Sequence, residues 1–384
     1  MKRIVFITGT RAEYDCVVPV LRELERQPGL RGEVLPCAAH LSPFLGYNVR
    51  QIEADGFHIV GRVESLLSSE SLVGRSLSFA HLVQGLTYAL AQDRPDVLFV
   101  TGDREEALAG ALVGVFLQLP VAHLFGGDRC IASDPDELFR PAVSKLATVH
   151  LTASESHRAR LIRMGEQPEY VFTTGTPALD RLRDDPMNDE ALSSAVGIDT
   201  RRPFFLVIHH PSPQLDLEAG ERELEQLLAG VLSFGHPVLC GYPNFDPGNV
   251  GMRRVIDEAR TQHPNLRVHH NLERSVFGGL YRRATAIVGN SSSIVIEAPF
   301  LRVAGILVGH RQDLRETSSN VLRVEGDTEA VRDACRRALM DDDFRATVAS
   351  CPSPYGDGHS APRIAEILGT LDLDRRAMQK TMAY

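Results

Sequence analysis

The sequence predicts an α/β protein built as two domains. Short apolar runs rich in β-branched residues recur along it, each ending at a glycine or polar turn and leading into a helical pattern. That rhythm is interrupted once, by the polar stretch RDDPMNDE at Arg183–Glu190, and then restarts. A chain of 384 residues is also long enough for two sizeable cores. Hydrophobic residues at 43% and charged ones at 24% place it among ordinary soluble globular proteins. The net charge of −9 argues against a nucleic-acid or membrane-surface partner, since either would want a basic patch. The six cysteines include no CxxC pair, so neither a zinc site nor a disulfide framework is indicated. The opening apolar run is too short for a signal sequence, and no run approaches membrane-spanning length, so a cytoplasmic protein is expected.

Ile4–Thr8 is the first strand, and it ends in Thr-Gly-Thr-Arg. Val17, Val18, Leu21 and Leu24 then form one face of a helix. Strand, glycine turn and helix are how α/β nucleotide-binding domains begin. Arg11 stands where a guanidinium and a helix N-terminus can share a phosphate; a surface charge in a turn is its plainer role. Gly32–Ala38 reads as a strand, Val49–Ala54 as part of a helix and Leu77–Gln92 as a longer helix. Asp96–Val100 (DVLFV) reads as a strand buried on both faces, and it ends in TGDREE. Asp103 therefore lies just past a strand's carboxyl end, where open α/β sheets place ligands, although a helix cap would suit it equally. Glu106, one turn on, reads as a capping-box partner or an ion-pair member.

Leu119–Phe125 is the next strand, followed by FGGDRCIASDPDELFRPAVSK. Asp128, Asp134, Asp136 and Glu137 crowd into this stretch, and Arg140 follows. A glycine-broken strand end presenting several carboxylates suits general acid/base chemistry, because one group can stay protonated beside an ionised neighbour. An acidic loop capping a helix is the alternative. Phe139, Ala142, Val143 and Leu146 give the helix its apolar face. Pro141, tolerated where the backbone N–H is already unpaired, sets the helix start near Glu137 or Leu138 and leaves Asp136 in the loop before it. Val149–Ala153 and Tyr170–Thr174 are strands on either side of a serine-capped helix, Ser154–Met164.

The second half shares this rhythm without repeating the sequence. Phe204–Ile208 leads to His209-His210-Pro211; Glu221–Leu232 is a helix and Pro237–Cys240 a strand before the loop GYPNFDPG. Leu266–His269 is a strand and Val276–Arg283 a short helix. Ala284–Val288 opens into Gly289-Asn290-Ser291-Ser292-Ser293, with a short helix running to Pro299. Three hydroxyls beside the N–H groups of a first helical turn make a phosphate cradle, although a cap needs only one of them. Glu297, one turn later, can accept hydrogen bonds from ribose hydroxyls.

Taken in order, TGTRAEYD, TGDREE, GGD…DELFR…K, HHPSPQL, YPNFD, GNSSSIVIEAP, HRQDLR and YGDGHSAPRIAEIL resemble the UDP-N-acetylglucosamine 2-epimerases over nearly the whole chain. They are closer to the hydrolysing branch, which makes free N-acetylmannosamine or a related 2-epimeric sugar for sialic-acid-like products. The resemblance implies a GT-B-like fold, with two Rossmann-like doubly wound domains facing a central cleft. Residues 1–185, completed by a C-terminal helix 360–384, would form the sugar side, and residues 186–359 the nucleotide side. It also implies a UDP-sugar substrate, no cofactor, no metal, and a homodimer or higher homo-oligomer.

By motif match, Asp103, Asp128 and Asp136 would be the catalytic carboxylates, with Glu137 a neighbour able to substitute. His210 would contact the diphosphate and help UDP leave, and Arg11 would reach the diphosphate across the cleft. Ser291, Ser292 and Ser293 would hold the phosphates, Glu297 the ribose, and Asn244 the nucleotide side, while Arg311 and Arg315 match basic positions of the family. The chain departs from the family in having FGGD for HGGE, with one more residue before the DE pair. Pro141, Ile294, His310 and Leu314 replace the family's histidine, glycine, aspartate and glycine. Shortening a catalytic carboxylate by one methylene moves it by about an ångström, which can cost on the order of 10²-fold in rate. Rival readings are a GT-B glycosyltransferase, a nucleotide-sugar hydrolase without epimerisation, and a non-catalytic nucleotide-sugar sensor. The first has no need of the carboxylate cluster, and the same cluster argues against the last.

Overall fold

The computed structural model describes residues 1–69, 71–129, 136–183, 187–212, 214–244, 246–269, 272–373 and 380–381. Within them the chain forms two compact units. One comprises Met1–Asp128, the described residues from 136 to Arg181, and those from Gly356 on; the other comprises Arg129 and the described residues from Leu182 to Tyr355.

The first unit is a parallel sheet of six strands: β1 (Lys2–Thr8), β2 (Leu30–Pro36), β3 (Val97–Thr101), β4 (Val121–Leu124), β5 (Val149–Thr152) and β6 (Val171–Thr173). Their order is β2-β1-β3-β4-β5-β6. The strands read as near-continuous apolar runs because both faces of the sheet are covered. Successive side chains go to opposite faces. Ile4 and Phe6 join Phe99 and Leu124 in one core, while Val5 and Ile7 join Leu98, Val100 and Val121 in the other. Helices Arg11–Arg26 and Ser360–Thr370 contribute to the first core, Leu72–Gln92 and Glu105–Leu117 to the second.

The C-terminal helix is tied down by its first turn. The N–H groups of Ser360 and Ala361 donate to the Asp180 carboxylate at 3.0 and 2.7 Å, and Ser360 Oγ donates to Gly175 O at 3.0 Å. It ends at Thr370 and does not run on to 384, because Leu371 turns extended and gives its carbonyl to Lys2 Nζ at 2.8 Å. Two other boundaries also differ from expectation. The helix expected from Leu77 starts at Leu72, since Ser71 Oγ accepts from Gly74 N at 3.0 Å and caps it there. The helix Asp136–Leu146 includes Asp136 as its first residue and holds Pro141 inside. The missing proline N–H forgoes only the bond to the Glu137 carbonyl, on the first turn.

The second unit is again a six-stranded parallel sheet: β7 (Phe205–Ile208), β8 (Val238–Gly241), β9 (Leu266–His269), β10 (Ala286–Gly289), β11 (Ala304–Val308) and β12 (Val321–Val324). Its order is β12-β11-β10-β7-β8-β9. Counted from β7, this is the dinucleotide-binding order, and the direction of winding reverses between β7 and β10. In the first unit the reversal falls between β1 and β3, as in flavodoxin-like sheets. Such reversals open a crevice at the carboxyl ends of the strands, where α/β proteins bind ligands. Two Rossmann-like units in one chain make the fold GT-B-like. Among the described residues, no helix is long and apolar enough to cross a membrane.

Candidate active site

Strands β3 and β4 of the first unit deliver carboxylates. Gly102 turns the chain after β3 at φ 76°, and Asp103 follows with Oδ2 accepting from Arg140 Nη2. Asp103 is not the helix cap: Arg104 occupies that position and makes no capping bond with its side chain. Arg140 is only 4% exposed, donates to Phe125 O at 3.4 Å, and has Glu137 Oε1 3.8 Å from its Nε. One buried guanidinium therefore gathers Asp103 and Glu137 from different elements, as a buried cation requires.

After β4, Phe125 adopts φ 72°, a costly conformation for a bulky residue and one that persists only where its surroundings enforce it. Gly127 takes φ 81°, and any Cβ there would lie 2.4 Å from His157 O. This close approach brings Asp128 Oδ1 within 3.3 Å of Nε2 on buried His157, and Arg160 fixes the turn by donating to Gly127 O. Behind both turns, fully buried His123 donates from Nε2 to Gly102 O at 2.8 Å and accepts at Nδ1 from Ser144 Oγ at 3.2 Å. Burial pushes its pKa down to about 3, so a neutral ring links the β3 turn to the helix Asp136–Leu146. Asp134 and the Asp136 side chain lie outside the described residues.

The β1 turn carries a further acid. Thr10 and Glu13 form a capping box: Glu13 N donates to Thr10 Oγ at 3.4 Å, and Glu13 Oε2 accepts from Gly9 N at 2.8 Å and Thr10 N at 3.1 Å. A Cβ on Gly9 would lie 2.4 Å from Glu106 Oε1, so only glycine lets these two carboxylates crowd the turn. Burial, and then the charge of Glu106, push the Glu13 carboxyl well above its usual range. Glu106 accepts from Arg104 Nε at 3.3 Å, which is the ion-pair role among its two sequence alternatives. Arg11, the first residue of its helix, is half-exposed and has Nε 3.6 Å from Asp15 Oδ2.

In the second unit, Asn290 clips the β7 and β10 ends together. Its Oδ1 accepts from His210 N and its Nδ2 donates to His210 O, both at 2.8 Å. Asn244 N donates to His210 Nδ1 at 3.2 Å, which leaves the proton of the neutral ring on Nε2. Burial, then the Arg311 charge, lower the His210 pKa to about 3. Arg311 Nη1 and Gln312 Nε2 donate to Asn290 O at 3.4 and 3.0 Å, and Arg315 Nη1 donates to Gln312 Oε1 at 2.9 Å. Of the expected residues, His210 and Arg311 thus meet Asn290 directly, while Asn244 reaches it through His210 and Arg315 through Gln312; the place of Asn290 in the GNSSS motif gave no hint of a clip.

Gly289 admits no side chain, for a Cβ would lie 2.0 Å from Ile208 O. Ser291 caps the helix Ser292–Leu301, its Oγ accepting from Ser293 N at 3.3 Å and from Ser293 Oγ at 2.9 Å. Ser293 Oγ also accepts from Tyr281 OH. Two of the three expected hydroxyls therefore hold the turn, and Ser292 is the less buried one. Glu297 lies on the next turn; burial, then its charge, raise the pKa of the Tyr281 hydroxyl.

The sequence profile described as UDP-N-acetylglucosamine 2-epimerase matches residues 22–369. The chain belongs to this family. Its similar relatives include the UDP-N,N′-diacetylbacillosamine 2-epimerase (hydrolyzing) of Legionella pneumophila subsp. pneumophila, 32% identical over 385 residues, with 100% of each chain covered. The GDP/UDP-N,N′-diacetylbacillosamine 2-epimerase (hydrolyzing) of Campylobacter jejuni subsp. jejuni is 25% identical over 327 residues, covering 84% of each chain. Among solved structures, UDP-GlcNAc 2-epimerase from Neisseria meningitidis bound to UDP-GlcNAc shares the fold, with a TM-score of 0.84 at 19% identity. That match covers 96% of this 2-epimerase family member and 100% of the other chain.

Proposed function

We propose that this family member is a hydrolysing 2-epimerase of a UDP-N-acetylhexosamine, either UDP-N-acetylglucosamine or a modified 2-acetamido sugar. The observation that carries the proposal is a pair of carboxylates at neighbouring strand ends, Asp103 on Arg140 and Asp128 beside His157. Inverting C2 of a sugar needs two such groups, one to remove a proton and one to return a proton to the opposite face. The C2 proton is not acidic, so its loss is coupled to departure of UDP. The C2–H electron pair becomes a C1=C2 bond while the C1–O bond breaks, its electrons leaving on the diphosphate. The resulting glycal takes a proton at C2 from a carboxylic acid. Water oxygen then bonds to C1 and its surplus proton goes to a carboxylate. Water is consumed, and UDP and the free 2-epimeric sugar are released.

In this reading Asp103, Asp128 and Asp136 share the acid and base roles, with Glu137 available beside Arg140. The nucleotide belongs on the second unit. The Nε2–H of neutral His210, together with Arg311 and Arg315, would stabilise charge developing on the leaving diphosphate. Ser292 and the first-turn N–H groups would meet phosphate, with Ser291 and Ser293 holding the turn in shape. Glu297 would accept from the ribose, Asn244 would support the nucleotide side, and Arg11 would add charge at the diphosphate. Two relatives named as hydrolysing 2-epimerases support the outcome. The free sugar, N-acetylmannosamine or a substituted analogue, would feed a sialic-acid-like product in the cytoplasm, with the enzyme acting as a homodimer or larger assembly. Incubation with UDP-sugars and no acceptor is expected to release UDP and a reducing sugar in equal amounts. Release that begins only when an acceptor alcohol is added would overturn the reading in favour of transfer.

A further inference from the structure

The turns after β1 and β3 meet at two carboxylates, neither of which is among the acid and base groups assigned above. Glu13 Oε2 takes the N–H groups of Gly9 and Thr10 at 2.8 and 3.1 Å, which leaves Oε1 buried and without a partner. Glu106, 5% exposed, comes from the helix that follows Asp103. Its Oε2 accepts from Arg104 Nε at 3.3 Å, while its Oε1 lies 2.4 Å from where a Cβ on Gly9 would stand. Two desolvated carboxylates against one glycine ionise together only at a large cost.

The groups facing this pair leave it one cation. Arg104 pairs with Glu106 and also lowers the Glu13 pKa, but burial and the Glu106 charge outweigh it and push Glu13 up to about 8. Just past β2, burial and then the Glu106 and Glu13 charges hold the Cys37 thiol well above its ordinary range. His40, hydrogen-bonded with Thr8 Oγ1 at 3.0 Å beside the same turn, is lowered to about 4 by burial. Both are therefore neutral at physiological pH. On the helix that carries Glu13, Arg11 and Asp15 pair with each other. A cavity of about 430 Å³, lined by Arg104, Glu106 and the hydroxyls of Ser65, Ser69 and Ser78 among others, gives the pair a polar route for proton exchange.

We propose that Glu13 and Glu106 are positioning residues that share one proton, carried on Glu13 Oε1 toward Glu106, and that this bond locks the Gly9 turn of β1 to the Asp103 turn of β3. β1 and β3 are paired neighbours, and Glu106 lies in the first turn of the helix that follows Asp103. With the proton in place, Glu106 keeps its charge for Arg104 and Glu13 completes the capping box. When it leaves, two like charges press on Gly9 and drive the two turns apart. On the 2-epimerase reading above, Asp103 moves with its turn, and a displacement of about an ångström costs on the order of 10²-fold in rate. The shared proton thereby sets an alkaline limit on turnover without touching substrate.

The test follows UDP release from a UDP-N-acetylhexosamine at pH 7 and pH 9 in wild type, Glu13→Gln and Glu106→Gln. An amide offers its N–H to the remaining carboxylate and has no proton to lose, so each variant keeps the bridge at both pH values. Wild-type kcat/KM is expected to fall about 10-fold between them, as loss of one proton near pH 8 requires, and each variant by less than about threefold. In parallel, NMR of substrate-free protein labelled with ¹³C at the glutamate side-chain carboxyls should show one group titrating at about 8. That signal should be missing from Glu13→Gln and shifted toward the ordinary carboxylate range in Glu106→Gln. No fall in wild type, or the same fall in all three proteins, overturns the positioning role. No glutamate titrating above about pH 7 overturns the shared proton. Absence of UDP release at every pH overturns the 2-epimerase reading and the effect on rate with it, while the carboxyl signal still decides whether the pair shares a proton.

Discussion

Asp128 carries the sharpest consequence at the scale of single residues. It is the shorter acid at a position where the family has glutamate, and the Gly127 turn holds it against buried His157. Asp128→Asn keeps the shape but removes the charge, so it is expected to cut turnover by about 10²–10⁴-fold, the usual worth of an acid or base. UDP affinity, measured calorimetrically, should stay nearly unchanged because the nucleotide contacts are assigned to the other unit. Glu13 has a separate signature. Burial, then the Glu106 charge, hold its folded pKa above the ordinary 4.5, so the folded state keeps a proton that the unfolded chain has lost. Stability is therefore lost as pH rises from 4.5 through the raised pKa. Glu13→Gln keeps an oxygen for the Gly9 and Thr10 N–H groups without the charge. Its melting temperature should gain on wild type progressively from pH 5 to pH 9; a constant difference would contradict the buried-acid account. Asp103 and Asp128 could be picked from the sequence because each follows a glycine at the end of an apolar run. Arg140 could be seen beside the acidic cluster, but His157 carried no signal in its serine-capped helix, and neither pairing was legible because each depends on how β3, β4 and two helices come together.

Among the elements, the helix Asp136–Leu146 shows how a site is held from its far end. Lys380, close to the C-terminus, donates to the carbonyls of Ser144 and Lys145 at 3.0 and 3.1 Å and pairs with buried Glu166. A cation at those last carbonyls complements the negative end of the helix. Burial alone would raise the Glu166 pKa, but hydrogen bonds from His150 and Lys380 outweigh it and lower the value to about 2. Lys380→Met is expected to cost about 1.5–3 kcal/mol, the worth of hydrogen bonds to a charged group, as read from urea unfolding at neutral pH. A change under about 0.5 kcal/mol, typical of an inert surface site, would show that the tail does not hold this helix. Nothing local in the sequence pairs Lys380 with Glu166. Pro141 points to a start at Glu137 or Leu138, yet the helix begins at Asp136, because a first-turn carbonyl can go without its donor more cheaply than the rule for helix interiors suggests.

At the scale of the whole molecule, most of the strands among the described residues were legible, since a parallel strand covered on both faces must be a continuous apolar run. Strand order was not, because it depends on which neighbours pair across the sheet. That order sets the two winding reversals and puts Asp103 at one of them and His210 at the other. The central claim is that these positions serve one elimination and one hydration. The most direct test is turnover of a UDP-N-acetylhexosamine in D₂O, with the released sugar analysed by NMR. The elimination route predicts deuterium at C2 and inverted configuration there. Release of a sugar that keeps its C2 protium would contradict it.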